Sequence, residues 1–266
     1  MCKLKSMIAL KGRIYMADAD SHSDMLKELG IEDDYLGASK KFVRLELYPV
    51  DGDPFSDIET WKLCVDQDIR PEWYSDEEYK PMAVEAVKEW AKTHIFVGVN
   101  GLKLNTGTNY YIKDCKDVEV TDSASVKAWG SASVKACGSA SVEACGSASV
   151  EACGSASVKA WDSASVKAWG SASVEAWGSA SVKACGSASV KALGSASVEA
   201  CGSASVEACG SAIIFNSFYS DWKKQSSFIL SENATFKDNI GKVIYQSGDF
   251  KLVSVESGKT IGEVVK

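Results

Sequence analysis

Few side chains in this sequence have the chemistry of a reactive or ligating centre. There are two histidines, His22 and His94. His22 lies in the run Asp20-Ser21-His22-Ser23-Asp24, which could hold a metal or pass a proton between imidazole and carboxylate. The same run also reads as the start of a helix, where acidic residues suit the positive end of the dipole. His94 falls where a helix should end, and a cation is favourable there too. Asp66-Gln67-Asp68 offers oxygen ligands to a divalent cation, but it lacks the glycine and the distal glutamate of an EF-hand loop. Asp51-Gly52-Asp53 is ordinary turn chemistry. The chain has nine cysteines, none in Cys-x-x-Cys spacing and none accompanied by histidine, so a zinc pattern is absent. No phosphate-cradling glycine loop, nucleophile elbow or triad order occurs. These residue types therefore require no enzyme, cofactor or metal.

The elements that would position them are short. Residues 8–16 read as a strand pair or one bent strand, with Lys11-Gly12 as the turn. Ser21 or Asp20 caps a helix over 23–29, with Met25, Leu26 and Leu29 on one face and Gly30 as its stop. Residues 42–47 alternate Phe42, Arg44 and Glu46 against Val43, Leu45 and Leu47, the pattern of a half-buried strand. A Pro/Gly/Asp loop follows over 49–54, then a strand over 60–65 with Trp61, Leu63 and Val65 on one side. Met82, Ala83, Ala86, Val87, Trp90 and Ala91 recur at three and four, predicting a helix over 80–94 with Pro81 in its first turn. Residues 1–105 thus form a small α+β head domain.

Residues 122–212 are of a different kind. One eight-residue phrase, Gly-Ser-Ala-Ser-Val-Lys/Glu-Ala-Trp/Cys, runs eleven times without insertion or deletion, the mark of a stacked repeat. In the unit 130–137, Ala132, Val134 and Ala136 alternate with Ser131, Ser133 and Lys135, a strand with an apolar and a polar face. A helix would carry a glycine every eight residues, each costing about 1 kcal/mol against alanine. Asp122 and Asp162 replace that glycine, and both residue types suit a turn.

The sixth position of the phrase sets the length of one coil. Side chains stacked in adjacent coils sit about 4.8 Å apart, where opposite charges attract and like charges repel. With one octad per coil, five of ten neighbouring steps would be opposite, and with three octads three of eight. With two octads per coil, eight of nine are opposite, the exception being Lys167 over Lys183. One column then reads Lys127, Glu143, Lys159, Glu175, Lys191, Glu207. The other reads Lys135, Glu151, Lys167, Lys183, Glu199, with Glu119 of a divergent preceding octad lying over Lys135. The expected fold is a mainly β protein: a parallel β-solenoid of about sixteen residues per coil over 106–212, whose alternating charge also holds the register. Residues 109–121 read as its first coil or N-terminal cap.

The eighth position carries Trp, Cys or Leu, which share only apolarity, and reads as a partly buried corner. Cys137 stacks over Cys153 and Cys185 over Cys201, offering a metal or redox ladder; the plainer reading is free cysteine as a small hydrophobe. Outward Ser-x-Ser ranks are reminiscent of ice-binding solenoids, although those use mainly threonine. Residues 213–266 form a β-rich cap: Ile213, Ile214, Phe215, Phe218, Tyr219 and Trp222, then strands over 227–230, 242–246 and 250–255, cover the last coil, whose bare backbone edge would invite aggregation.

Charge is uneven. Residues 1–105 carry 20 acidic and 14 basic side chains, 106–212 carry 10 and 8, and 213–266 carry 6 and 7. An acidic head and a near-neutral array argue against direct nucleic-acid binding, which needs a basic stripe. The N-terminal apolar run is too short for a secretory signal and no window approaches a membrane span. An odd number of cysteines without such a signal predicts reduced thiols in a cytoplasm.

Three blocks carry a resemblance: Phe42-Val43-Arg44-Leu45-Glu46-Leu47 leading to the 61–73 segment, the Ser-Ala-Ser-Val octads, and Glu232–Asn239 with Ile244-Tyr245-Gln246-Ser247-Gly248-Asp249. With these the chain resembles octapeptide-repeat proteins carried by bacteriophages and prophages of gut bacteria. The resemblance implies a phage or prophage setting and a bacterial cytoplasm; it brings no activity and no functional residues. Two classes of function then compete. The first is a non-enzymatic interaction or scaffold protein whose partner is another protein or a second copy of itself. The second is an inhibitor of a host defence or nucleic-acid enzyme, whose basic site Asp51, Asp53, Asp57, Glu59, Asp66 and Asp68 would occupy. Ice binding, or an enzyme built on His22 or Asp66, stands behind both.

Overall fold

The computed structural model describes residues 4–17, 20–33, 40–105, 107, 109–216, 226–237, 243–245, 251–256 and 259–264. The chain divides into two compact units, Met1–Phe96 and Val97–Lys266, a boundary nine residues ahead of the one read from composition.

The first unit is an antiparallel sheet with a helix on each side. Its elements are β1 (Lys5–Leu10), β2 (Arg13–Tyr15), α1 (His22–Glu28), β3 (Val43–Tyr48), β4 (Lys62–Val65) and α2 (Asp76–His94), and the strand order is β2-β1-β3-β4. Lys11-Gly12 turns the first hairpin, with Gly12 at φ +76°. Ser21 caps α1 by accepting from the Asp24 amide. On one face of the sheet Met25 and Leu26 of α1 pack with Ile8 and Phe42. On the other, the Lys5 ammonium lies over the Trp90 ring of α2, and the Tyr79 hydroxyl donates to the Leu10 carbonyl.

Three expectations for this unit need correcting. β3 is buried on both faces, Arg44 and Glu46 included, because α1 covers the face that alternation assigned to solvent. The 60–65 strand begins at Lys62, since residues Ile58–Thr60 form a 3₁₀ turn capped by Asp57. Helix α2 starts at Asp76, where Ser75 accepts from the Glu78 amide and three acids fill the first turn, a stronger start signal than Pro81. Pro81 falls in the second turn and removes a single hydrogen bond there.

The second unit is the parallel β-solenoid. The first octad contributes the strand Ser125–Trp129 and each later one a four-residue strand, from Ser133–Ala136 to Ser205–Ala208, and within the array strands sixteen residues apart pair. Two parallel sheets result, with successive octads alternating between them. Every Ala-Val-Ala triplet of the array is buried; only side chains this small let the two sheets close on one another within a sixteen-residue coil. The corners pair as well: the Ser147 amide donates to the Gly130 carbonyl at 3.1 Å, and Ser155 to Gly138 at 3.0 Å. Each corner residue has positive φ, and a Cβ on Gly202 would lie 3.2 Å from the Gly186 carbonyl oxygen.

Both charge columns hold as read, including Lys159 between Glu143 and Glu175 and Lys191 between Glu175 and Glu207. The alternation starts one coil earlier than expected, with Lys103 beside Glu119 at 3.4 Å. Toward the C-terminus the parallel ladders continue into Ile213–Asn216, Ser226–Leu230 and Thr235–Lys237. Antiparallel strands Val243–Tyr245, Lys251–Glu256 and Lys259–Val264 then finish the two sheets; the first two lie close to the bounds read from the sequence, and the third was not read there. Phe218, Tyr219 and Trp222 lie outside the described residues.

The corner cysteines are the clearest departure from expectation. Disulfides join Cys137 to Cys153 and Cys185 to Cys201, with Cα atoms 4.8 and 4.7 Å apart. That is the strand spacing itself, and it falls inside the range a disulfide spans. Reduced thiols were expected throughout; Cys64, Cys115, Cys145 and Cys209 alone among the described residues fit that reading. Burial raises the thiol pKa of Cys145 and of Cys209. On the opposite edge Trp161 stacks on Trp177, ring centres 5.1 Å apart.

Candidate functional site

The first turn of α1 meets β3 and the end of β4 on one side of the head sheet. Ser21 fixes where α1 begins and so places His22 as its first residue. The His22 Nε2 lies 3.0 Å from the Leu45 carbonyl oxygen. A carbonyl can only accept, so Nε2 carries the proton and, in the neutral ring, Nδ1 presents a lone pair. Nδ1 faces Asp66 Oδ2 at 3.5 Å. Glu46 completes the group: one ligand atom each from His22, Glu46 and Asp66 lie within 4.8 Å of one another. His22 and Glu46 are 7% and 6% exposed, whereas the Asp66 side chain is 61% exposed at the mouth.

Arg44 faces the same cleft and is ion-paired to Asp33. The Ser23 hydroxyl, donating at 2.8 Å, holds the Asp33 carboxyl below the usual carboxylate range, and Arg44 adds to the effect. With Asp20, Gln67 and Asp68, the residues His22, Ser23, Asp33, Arg44 and Asp66 bound a cleft of about 450 Å³. The structure thus joins two stretches, 20–24 and 66–68, that the sequence offered separately. Glu46 escaped the sequence reading, which set it on a solvent face. The available signal was a charged pair inside the apolar run Val43–Tyr48, next to a helix with an apolar stripe able to cover it.

The other acidic candidates are occupied locally. Asp51 accepts from the Asp53 amide at 3.0 Å, Asp53 from Phe55 at 3.0 Å and Asp57 from Glu59 at 3.1 Å. Glu59 is ion-paired to Lys88, which raises the lysine pKa. Only Asp66 and Asp68 of the six border the cleft. His94 is buried, with Nδ1 2.9 Å from the Trp90 carbonyl and its ring stacked on Trp90, so it serves packing.

A second candidate surface lies on the solenoid. Toward its C-terminal end, Lys167, Lys183, Glu199, Lys237 and Asn216 border a groove of about 480 Å³ together with Phe215. Phe215 and Ile213 are exposed. The Asn216 Nδ2 is buried there without a hydrogen-bond partner among the described residues. Among those residues no helix is long and apolar enough to cross a membrane. Compared with protein-family models, curated proteins and solved structures, the chain matches none.

Proposed function

We propose that the chain is a non-enzymatic interaction module whose β-solenoid presents a rigid, charge-patterned face to a protein partner. The observation that carries this reading is the groove beside Phe215. There the alternating ladder breaks at Lys167–Lys183, the Phe215 ring reaches solvent, and the Asn216 amide lacks an acceptor among the described residues. A partner segment with an apolar anchor and a free carbonyl would satisfy the last two, and an acidic side chain would add to the pairing that Lys167 and Lys183 have with Glu151 and Glu199. Stacked coils hold such a surface in place without induced ordering, which lowers the entropic cost of binding. Inhibition through the acidic head is less well supported, since Asp51, Asp53, Asp57 and Glu59 already serve turns or an ion pair.

A phage or prophage accessory role remains part of the proposal, on the resemblance alone. The cellular setting follows the disulfides: two of them persist more readily at a virion or cell surface than in a reducing cytoplasm. Capture from a bacterial host lysate with the wild-type chain, a Phe215→Ser/Lys183→Glu variant and an Asp66→Asn/Asp68→Asn variant tests the reading. Loss of the partner with the first variant alone supports it; loss with the second alone transfers the function to the head.

A further inference from the structure

We infer that His22, Glu46 and Asp66 form a binding site for a divalent first-row transition ion such as Mn²⁺ or Zn²⁺. This inference is independent of the solenoid reading. The argument begins with the tautomer. The Leu45 carbonyl accepts a hydrogen bond from Nε2–H, the arrangement by which an outer hydrogen bond orients a metal-bound histidine. In the neutral ring the Nδ1 lone pair then faces the Asp66 carboxylate at 3.5 Å, and the Glu46 carboxylate belongs to the same group. A cation bound here would be attracted by the imidazole lone pair and by both carboxylates.

A second observation comes from across the sheet. Ser6 stands directly opposite Glu46 on β1, and its hydroxyl is fully buried without a hydrogen-bond partner among the described residues. A water bound to the ion, or the ion's own polar shell, would satisfy it. Four aspartates border the cleft, Asp20, Asp33, Asp66 and Asp68; Asp33 is paired to Arg44 and Asp20 lies 3.6 Å from the Lys5 ammonium, so the acidic character open to a cation lies with Asp66 and Asp68.

The donor set names the class of ion. One imidazole and two carboxylates suit borderline or moderately hard ions, and without thiolate they do not select copper(I) or an iron–sulfur cluster. Donors about 2.1 Å from such an ion lie about 3–3.5 Å apart, so the group must tighten by roughly 1 Å. The exposed Asp66 can adjust by rotating. Three protein ligands leave further positions to water.

The test is a Mn²⁺ titration of the full chain, followed by loss of the free-ion electron paramagnetic resonance signal, with Zn²⁺ as competitor. One saturable equivalent is expected, with binding weakened at least about tenfold by Glu46→Gln, by His22→Ala and by Asp66→Asn and unchanged by Cys64→Ser. Asp66 is exposed, so its variant stays folded even if the buried changes do not, which circular dichroism checks. No saturable binding by the wild-type chain would overturn the proposal. So would equal binding by wild type and Asp66→Asn, which would mark a diffuse acidic surface instead.

Discussion

Lys167 and Lys183 stand in register in adjacent coils, and each ion-pairs away from the other: Lys167 Nζ lies 3.2 Å from Glu151 and Lys183 Nζ 3.1 Å from Glu199. The one like-charge step in the ladder is therefore relieved by its neighbours, and the ladder acts through sets of rungs rather than isolated pairs.

This relationship separates two substitutions of similar type. Lys159→Glu places three acids in consecutive rungs and should cost about 0.5–1 kcal/mol. Lys167→Gln loses a pair with Glu151 but removes the repulsion from Lys183, and should be close to neutral. Thermal unfolding at low ionic strength reads both, and the difference should shrink at high salt as screening shortens the range of the interaction. Equal effects would contradict the rung-by-rung account.

The two disulfides each tie neighbouring coils. Replacing Cys137 and Cys153 together by serine should cost about 2–3 kcal/mol for a loop of this length. Because each coil touches mainly its neighbours, hydrogen exchange should rise first in coils around the lost bond. Uniform loss of protection along the array would show that it unfolds as one unit.

Asp114 offers a pH test. Its Oδ1 accepts from the Ser131 amide at 2.7 Å and from the Ser131 hydroxyl at 3.0 Å, and these bonds, the backbone one first, lower its pKa. A depressed folded pKa means that the stabilisation is present above the unfolded value and lost as pH falls through the folded one. Exchange of the Ser131 amide should accelerate in that acidic window relative to corner amides such as Ser155. In Asp114→Asn, which tolerates the φ of +54°, that pH dependence should disappear. An unchanged profile would assign it elsewhere.

Corner geometry can be probed with two glycines. Gly12 and Gly202 share positive φ, at +76° and +73°, but a Cβ on Gly12 meets nothing within 4 Å, whereas one on Gly202 presses on the Gly186 backbone. Gly12→Ala should cost about 1–2 kcal/mol, the left-handed backbone penalty alone. Gly202→Ala should cost more, measured by chemical denaturation, because coil spacing must open at that corner.

The periodic part of the molecule was legible from residue order, and the rest only in part. Where one phrase recurs, the neighbour of a residue is another copy of itself, so a charge pattern at one position suffices to count the residues in a coil. Inward Ala-Val-Ala, outward Ser and Lys/Glu, and the pairing of residue i with i+16 all follow from that repetition. The head has no such symmetry. Its caps and hairpin are local and could be read, but the burial of Glu46 depended on α1 crossing a face that strand alternation had given to solvent. His22, Glu46 and Asp66 come from three separated segments, and only the completed sheet brings them together. The cysteines fall between these cases: their stacking was visible in the period, while the bond between them was decided by corner geometry that sets the two sulfurs within reach. Repetition turns distant contacts into a local rule, and aperiodic packing leaves them to the tertiary fold.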